Sequence, residues 1–172
     1  MTIIVCSLRQ VPEVAAARRP SHLISLLDPI YIETVPTPPD LPGHRHLRLA
    51  VDDISEPAPG MTAPEEHHVI RILDFGRDWD ETRPLLVHCW AGISRSTAAA
   101  FILACERNPD APERDIALRL RSASATAAPN RLLVALADDL LGRRGRMVDA
   151  AGAMGPHTFG FEGEPFDLPA RF

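Results

Sequence analysis

The chain has 172 residues and a net charge of −5. That is length enough for one domain with a sizeable core, and the charge disfavours a large polyanion such as duplex nucleic acid as partner. No apolar run approaches the about 18 residues of a membrane span. Thr2–Leu8 is apolar but short and lacks both a basic leader and a small-residue cleavage site. It is therefore expected to be a first strand, not a signal peptide, and the chain to be cytoplasmic with no membrane partner. Cys6, Cys89 and Cys105 are odd in number and widely spaced, which is no disulfide framework. All 18 basic side chains are arginines, so any cationic contact to a phosphate must be a guanidinium.

In chain order, Thr2–Leu8 reads as a strand, Glu13–Arg18 as a short helix and His22–Leu27 as a second strand. Eight of the 17 prolines lie between Pro29 and Pro64 and punctuate two loops, Thr34–Gly43 and Ile54–Pro64. Between them Leu47, Leu49 and Val51 share one face of a strand that ends at Asp52-Asp53. Thr62 with Glu65 three residues on predicts a capping box for a helix carrying Val69, Ile70 and Leu73. A buried strand over Leu85–His88 leads into the loop Cys89–Arg95 and a helix over Ser96–Arg107. Asp110 with Glu113 is expected to cap a helix around Ile116–Leu120, and Leu132, Leu133, Leu136, Leu140 and Leu141 mark a last amphipathic helix ending near Gly142. The pattern is that of an α/β fold, with a central, mostly parallel sheet flanked by helices. Residues 1–150 are expected to form the domain. Residues 151–172, rich in Gly, Pro and Phe, form a tail, and its four phenylalanines predict that it packs on the domain.

His88-Cys89-Trp90-Ala91-Gly92-Ile93-Ser94-Arg95-Ser96 carries the chemistry. A loop between a strand end and a helix N-terminus offers backbone N–H groups and a positive dipole end to an anion, and a thiol in that place loses its proton readily. Cys89 is the candidate nucleophile, attacking phosphorus so that two easier steps replace one hard one. The amides of Trp90, Ala91, Gly92, Ile93, Ser94 and Arg95 are the candidate phosphate cradle. Gly92 permits a conformation that a side chain would obstruct, and Arg95 supplies a bidentate fork. Ser96 can donate to the sulfur, and His88 is expected to fix the loop from behind. The leaving oxygen needs a proton, and Asp52 and Asp53 are the candidate acids. No metal and no cofactor is required. The pairs His44/His46 and His67-His68 lack a third ligand, and Cys6 and Cys105 are expected in the core.

The nine-residue stretch resembles the active-site loop of cysteine-dependent protein tyrosine phosphatases, with Ala-Gly-Ile-Ser-Arg-Ser most similar to the dual-specificity branch. Val51-Asp52-Asp53 resembles that family's general-acid loop, and Ala128-Pro129-Asn130 followed by Leu133 resembles the Pro-Asn that opens its last helix. The similarity covers about residues 45–141. It implies a protein tyrosine phosphatase-like fold, Cys89, Arg95, Asp53 and Ser96 as catalytic residues with Asp52 as the fallback acid, and a phosphorylated protein or small phosphomonoester as substrate. No counterpart of the tyrosine-recognition loop of the larger, phosphotyrosine-only enzymes is visible. The competing readings are a phosphoinositide, inositol-phosphate or RNA 5′-phosphate hydrolase on the same scaffold, and a catalytically idle phosphate-binding module. A rhodanese-like sulfur transferase fits the His-Cys and Arg-Ser ends poorly.

Overall fold

A computed structural model describes residues 1–172. Five strands form one sheet: β1 (Thr2–Ser7), β2 (His22–Leu27), β3 (His46–Ala50), β4 (Leu85–Cys89) and β5 (Phe166–Pro169), in the order β3-β2-β4-β1-β5. The pairs β1·β4, β2·β4 and β2·β3 are parallel, whereas β5 runs antiparallel to β1. Every residue of β2 and β4 is buried. A parallel sheet covered on both faces requires such buried strands, here apolar except at His22, Ser25 and His88.

The two-residue period of the strands divides the core. Ile3, Val5, Ile24, Leu26, Leu85, Val87 and Cys89 join the larger apolar cluster. It is closed by α3 (Glu66–Arg77), α4 (Arg95–Arg107), α5 (Glu113–Ala123), α6 (Arg131–Leu140) and α7 (Arg146–Gly152). Ile4, Cys6, Leu23 and Leu86 face the other way, onto Val11, Val14 and Ala15 of α1 (Val11–Arg18). Helix α4 is buried over 11 of its 13 residues. Ala98, Ala99 and Ala100 let it lie close under the sheet, where a helix apolar all round belongs.

Several boundaries differ from the sequence reading. Helix α3 starts at Glu66, not on a Thr62 cap. Thr62 is instead tied to Asp52 by two bonds, from its N–H to Asp52 Oδ2 (2.6 Å) and from Asp52 N–H to its carbonyl (2.8 Å). The cap residue is Glu65, whose N–H donates to His68 Nδ1. Asp110 caps nothing at α5, whose N-cap is Pro112, because Glu113 is turned inward onto Arg143 and Arg146. A short helix α2 (Pro29–Ile32) and the helix α7 were not anticipated, and the expected boundary at residue 150 falls inside α7. The residues beyond it divide: Phe166 is buried in β5, whereas Phe159 and Phe161 stack edge to face in solvent. No helix is long and apolar enough to cross a membrane.

Candidate active site

Four parallel strands end at one edge of the sheet, and the chemistry-bearing residues follow their C-terminal ends. Ser7 closes β1, Asp28 follows β2, Asp52-Asp53 lie just beyond β3, and Cys89 closes β4. Open α/β sheets collect their ligand-binding groups at this edge. Residues far apart in sequence thereby meet around the loop from Cys89 to Arg95.

The loop separates its donors from its acceptors. Four of its carbonyls are held by the surrounding protein: Trp90 O by Leu8 N (3.2 Å), Ala91 O by Gly163 N (2.8 Å), Ile93 O by Ala128 N (2.9 Å), and Ser94 O by Ala98 N (2.9 Å) and Asn130 N (3.3 Å). Thr97 Oγ1 also donates to Ile93 O and Ser94 O. By contrast, none of the six amides from Trp90 through Arg95 donates to a protein acceptor. Backbone N–H groups in a folded protein are almost always paired, and a row of six without a protein acceptor can receive an anion. Gly92 makes the turn possible. Its φ is +71°, and a Cβ there would lie 2.8–2.9 Å from the backbone of Cys6 and Ser7, so no other residue fits without moving β1.

Arg95 is buried and anchored through one nitrogen. Its Nη1 donates to Asp28 Oδ1 (2.8 Å) and to Val51 O (2.7 Å). The Nε is buried with no hydrogen-bond partner, and Asp53 Oδ2 lies 3.9 Å from it. The Nε–Nη2 edge, the one that binds two oxygens side by side, is thus left for another acceptor. Asp28 was missed by the sequence reading. It also accepts the Trp90 indole N–H (2.5 Å), and Tyr31 packs edge-on against that ring with centroids 5.0 Å apart. One carboxylate therefore sets both the arginine and the first residue after the cysteine. An acid directly after the buried run of β2 was the available signal.

Cys89 is 2% exposed, and its Sγ lies 3.1 Å from Ser96 Oγ, so the hydroxyl is placed to donate to the sulfur. The two neighbouring acids have separate tasks. Asp52 is spent on Thr62, as described. Asp53 sits over the loop, where Oδ1 accepts from Ser94 Oγ (2.7 Å) and Asn130 Nδ2 (2.8 Å). Asn130 caps α6 through its Oδ1, which accepts from the amides of Leu132 and Leu133. Its amide nitrogen also donates to Ile54 O. The same side chain thus opens a helix, as the Pro-Asn pattern implied, and holds the Asp53 segment, a contact that the pattern did not disclose.

Behind the loop runs a buried polar chain. His88 Nδ1 lies 3.3 Å from Cys89 O, and its Nε2 lies 2.5 Å from Ser25 Oγ. Ser25 Oγ lies 2.8 Å from His46 Nε2, His46 Nδ1 lies 2.9 Å from Thr37 Oγ1, and Arg48 donates to that hydroxyl. Burial pushes His88 down to about 4 and His46 down to about 3, so both rings are neutral at pH 7. The direction of every bond then follows. A carbonyl only accepts, so His88 carries its proton on Nδ1 and Ser25 must donate to its Nε2. The single Ser25 proton is then spent, so His46 donates from Nε2 and accepts from Thr37, which in turn accepts from Arg48.

The C-terminal segment braces the same loop from the other side. Gly163 N holds Ala91 O, Gln10 Nε2 donates to Gly163 O, and Glu162 accepts from Ser7 Oγ and Arg9. Cys6 and Cys105 are buried. Burial pushes the Cys6 thiol up to about 12 and Cys105 up as well. Cys6 and Cys89 face opposite sides of the sheet. Arg18 pairs with Asp167, and Arg48 donates to Val35 O and Thr37, so neither lines the loop. Set against known proteins, the chain matches no family model and no curated protein.

Proposed function

We propose that the chain is a phosphomonoester hydrolase of the cysteine-dependent protein tyrosine phosphatase type, nearest the dual-specificity branch. It acts on a phosphorylated protein or small phosphomonoester through a phosphocysteine at Cys89. The observation that carries this reading is the row of six unpaired amides, Trp90 through Arg95, beside the free Nε–Nη2 edge of Arg95. That donor set matches the equatorial oxygens of a phosphoryl group in transfer, where positioning and electrostatics supply nearly all of the catalysis.

In the first step the Cys89 thiolate attacks phosphorus, the S–P bond forms, and the bond from phosphorus to the leaving oxygen breaks. Asp53 delivers a proton to that oxygen. In the second step a water attacks phosphorus and gives a proton to the Asp53 carboxylate. The S–P bond breaks and inorganic phosphate forms, while the Ser96 hydroxyl donates to the returning thiolate. Asp28 holds Arg95 so that its free edge meets two phosphoryl oxygens throughout. The test is turnover of p-nitrophenyl phosphate by the purified chain with chelator present. Wild type should hydrolyse it and release phosphate, whereas Cys89→Ser should lose turnover and still bind vanadate. Undiminished turnover by Cys89→Ser overturns the reading.

A further inference from the structure

The groups that hold the carbonyls of the cysteine loop also aim its amides. A peptide is planar and trans, so its C=O and its N–H point in opposite directions. Whatever bonds the carbonyl of one residue therefore turns the amide of the next residue the other way. Most of these holds come from nearby in the fold: Leu8 just after β1, Ala98 in α4, and Ala128 and Asn130 before α6. Ala91 O is different. Its donor is Gly163 N (2.8 Å), beyond α7 in the C-terminal segment. That one bond fixes the Ala91–Gly92 peptide, and with it the Gly92 N–H in the middle of the row.

Gly163 is built into this place. It is buried, and Gln10 Nε2 donates to its carbonyl (3.3 Å) while Gln10 Oε1 accepts from Ser7 N (2.9 Å). Glu162, next to it, accepts from Ser7 Oγ and pairs with Arg9. Thr158 N donates to Ala125 O (2.8 Å), so the segment is fastened at both ends. A Cβ on Gly163 would lie 3.1 Å from Thr126 Oγ1 and 3.2 Å from Gly92 O. No backbone donor holds Gly92 O, so Gly163 meets the Gly92–Ile93 peptide by contact alone. Two central amides of the cradle, those of Gly92 and Ile93, thus take their direction from one glycine.

We propose that Gly163 is a positioning residue for the bound phosphoryl group: it aims the Gly92 and Ile93 amides at the oxygens and so sets the anion affinity of the loop. The proposal rests on the phosphatase reading for its ligand. It gives the C-terminal segment a part in the reaction as well as a place in the sheet. A donor turned off axis weakens steeply, and a preorganised site draws its strength from donors already aligned.

The experiment compares the full chain with two variants of Gly163. Gly163→Ala keeps the N–H and presses a methyl group on Gly92 O and Thr126. Gly163→Pro removes the N–H. Arg18→Ala is the control, since it loosens the same segment at Asp167 without touching the loop. Vanadate binding is measured by calorimetry, with kcat on p-nitrophenyl phosphate and on an alkyl phosphate, and thermal melting, alongside. Gly163→Ala should bind vanadate about three- to tenfold more weakly and Gly163→Pro about tenfold, the scale of a charge-assisted hydrogen bond partly lost. Their kcat should fall by a similar factor. The ratio of alkyl to aryl turnover should stay at the wild-type value, because Asp53 is held by Ser94 and Asn130 and not by Gly163. Arg18→Ala should lower the melting temperature and keep both kcat and vanadate affinity.

Wild-type vanadate affinity in Gly163→Ala, or in a folded Gly163→Pro, overturns the proposal. Should Gly163→Pro fail to fold, Gly163→Ala decides. An equal loss in Arg18→Ala overturns it too, because the effect would then be a general loosening. So does a changed alkyl-to-aryl ratio, which would mean that Asp53 has moved. Wild type that binds vanadate and hydrolyses no phosphate ester overturns the phosphatase reading, and the binding comparison still decides the role of Gly163. Wild type that does not bind vanadate overturns both.

Discussion

The two faces of the cysteine loop are built on opposite rules. On the back the polar groups are paired, from the carbonyls of Trp90, Ala91, Ile93 and Ser94, though not that of Gly92, to the chain that runs from Arg48 to the carbonyl of Cys89. On the front, six amides and one edge of a buried arginine have none among the protein's own acceptors. The difference separates two uses of the same hydrogen-bonding groups. A satisfied network fixes a shape, and unsatisfied donors held in that shape have their strength reserved for a ligand. Substitutions on the front should therefore cost turnover with little effect on folding, and those on the back should cost stability first.

The largest effect is expected at Arg95. Arg95→Lys keeps the charge and loses the planar fork, so kcat on p-nitrophenyl phosphate should fall by about 10³-fold, on the order of 4 kcal/mol of transition-state stabilisation. The melting temperature should move much less. A variant that keeps most of its kcat would remove Arg95 from the front face. Asp53→Asn comes next. Loss of a positioned acid costs about 10²–10⁴-fold. The loss should appear in full with an alkyl phosphate and be small with p-nitrophenyl phosphate, whose leaving group departs without a proton. Asp52→Asn should lack this dependence on leaving group, because its carboxylate holds Thr62. Should Asp52→Asn alone show it, the assignment is off by one residue.

The back face is tested by Ser25→Ala. The change strands Nε2 of two buried histidines, and each stranded group costs about 1–3 kcal/mol. The melting temperature should fall by several degrees, while kcat changes less than in either front-face variant. Acid should act on the same network. Both His46 and His88 have folded values below the ordinary value of 6.5, so the unfolded chain binds more protons as the pH falls. Their contribution is then complete above about pH 6.5 and is lost as the pH drops through about 4 for His88 and about 3 for His46. The stability curve should begin to fall near pH 6.5, before carboxylates titrate, losing about 2 kcal/mol for each histidine by pH 5. A flat curve down to pH 5 would mean that the histidines are not held neutral. The smallest effect is expected at Glu162→Gln, which weakens a partly exposed pair with Arg9. Its shift in melting temperature should be smaller than that of Ser25→Ala.

Local patterns carried most of what the sequence disclosed. The alternation of Leu47, Leu49 and Val51 marks β3, the buried run His22–Leu27 is β2, and the helix after Arg95 follows from an unbroken apolar segment. The cysteine loop was legible because its chemistry is compressed into nine consecutive residues. Asp28 was not, because its importance depends on β2 lying beside β4, a pairing that no local period encodes. The tail shows the same limit. Four phenylalanines predicted packing, yet Phe166 is buried where β5 pairs with β1, and Phe161, which precedes that strand, is exposed. The cap of α3 was misplaced for a related reason. Thr62 has the right spacing for a capping box, but a tertiary contact with Asp52 claims both of its backbone groups.

The antiparallel edge strand has a consequence for how the protein is made. Thr2 Oγ1 bonds to Leu168 O across 166 positions of sequence, and Gly163 reaches back to the cysteine loop at Ala91. A ribosome releases the chain from its N-terminus, so β1 waits with one edge unpaired until residues 166–169 have been synthesised. Closing so long a loop is an entropic cost that local contacts cannot meet in advance. Until then β1 offers a row of free N–H and C=O groups to any other extended chain nearby. The nascent protein therefore passes through a stage in which its sheet can pair wrongly, and that stage ends only when residues 158–169 dock.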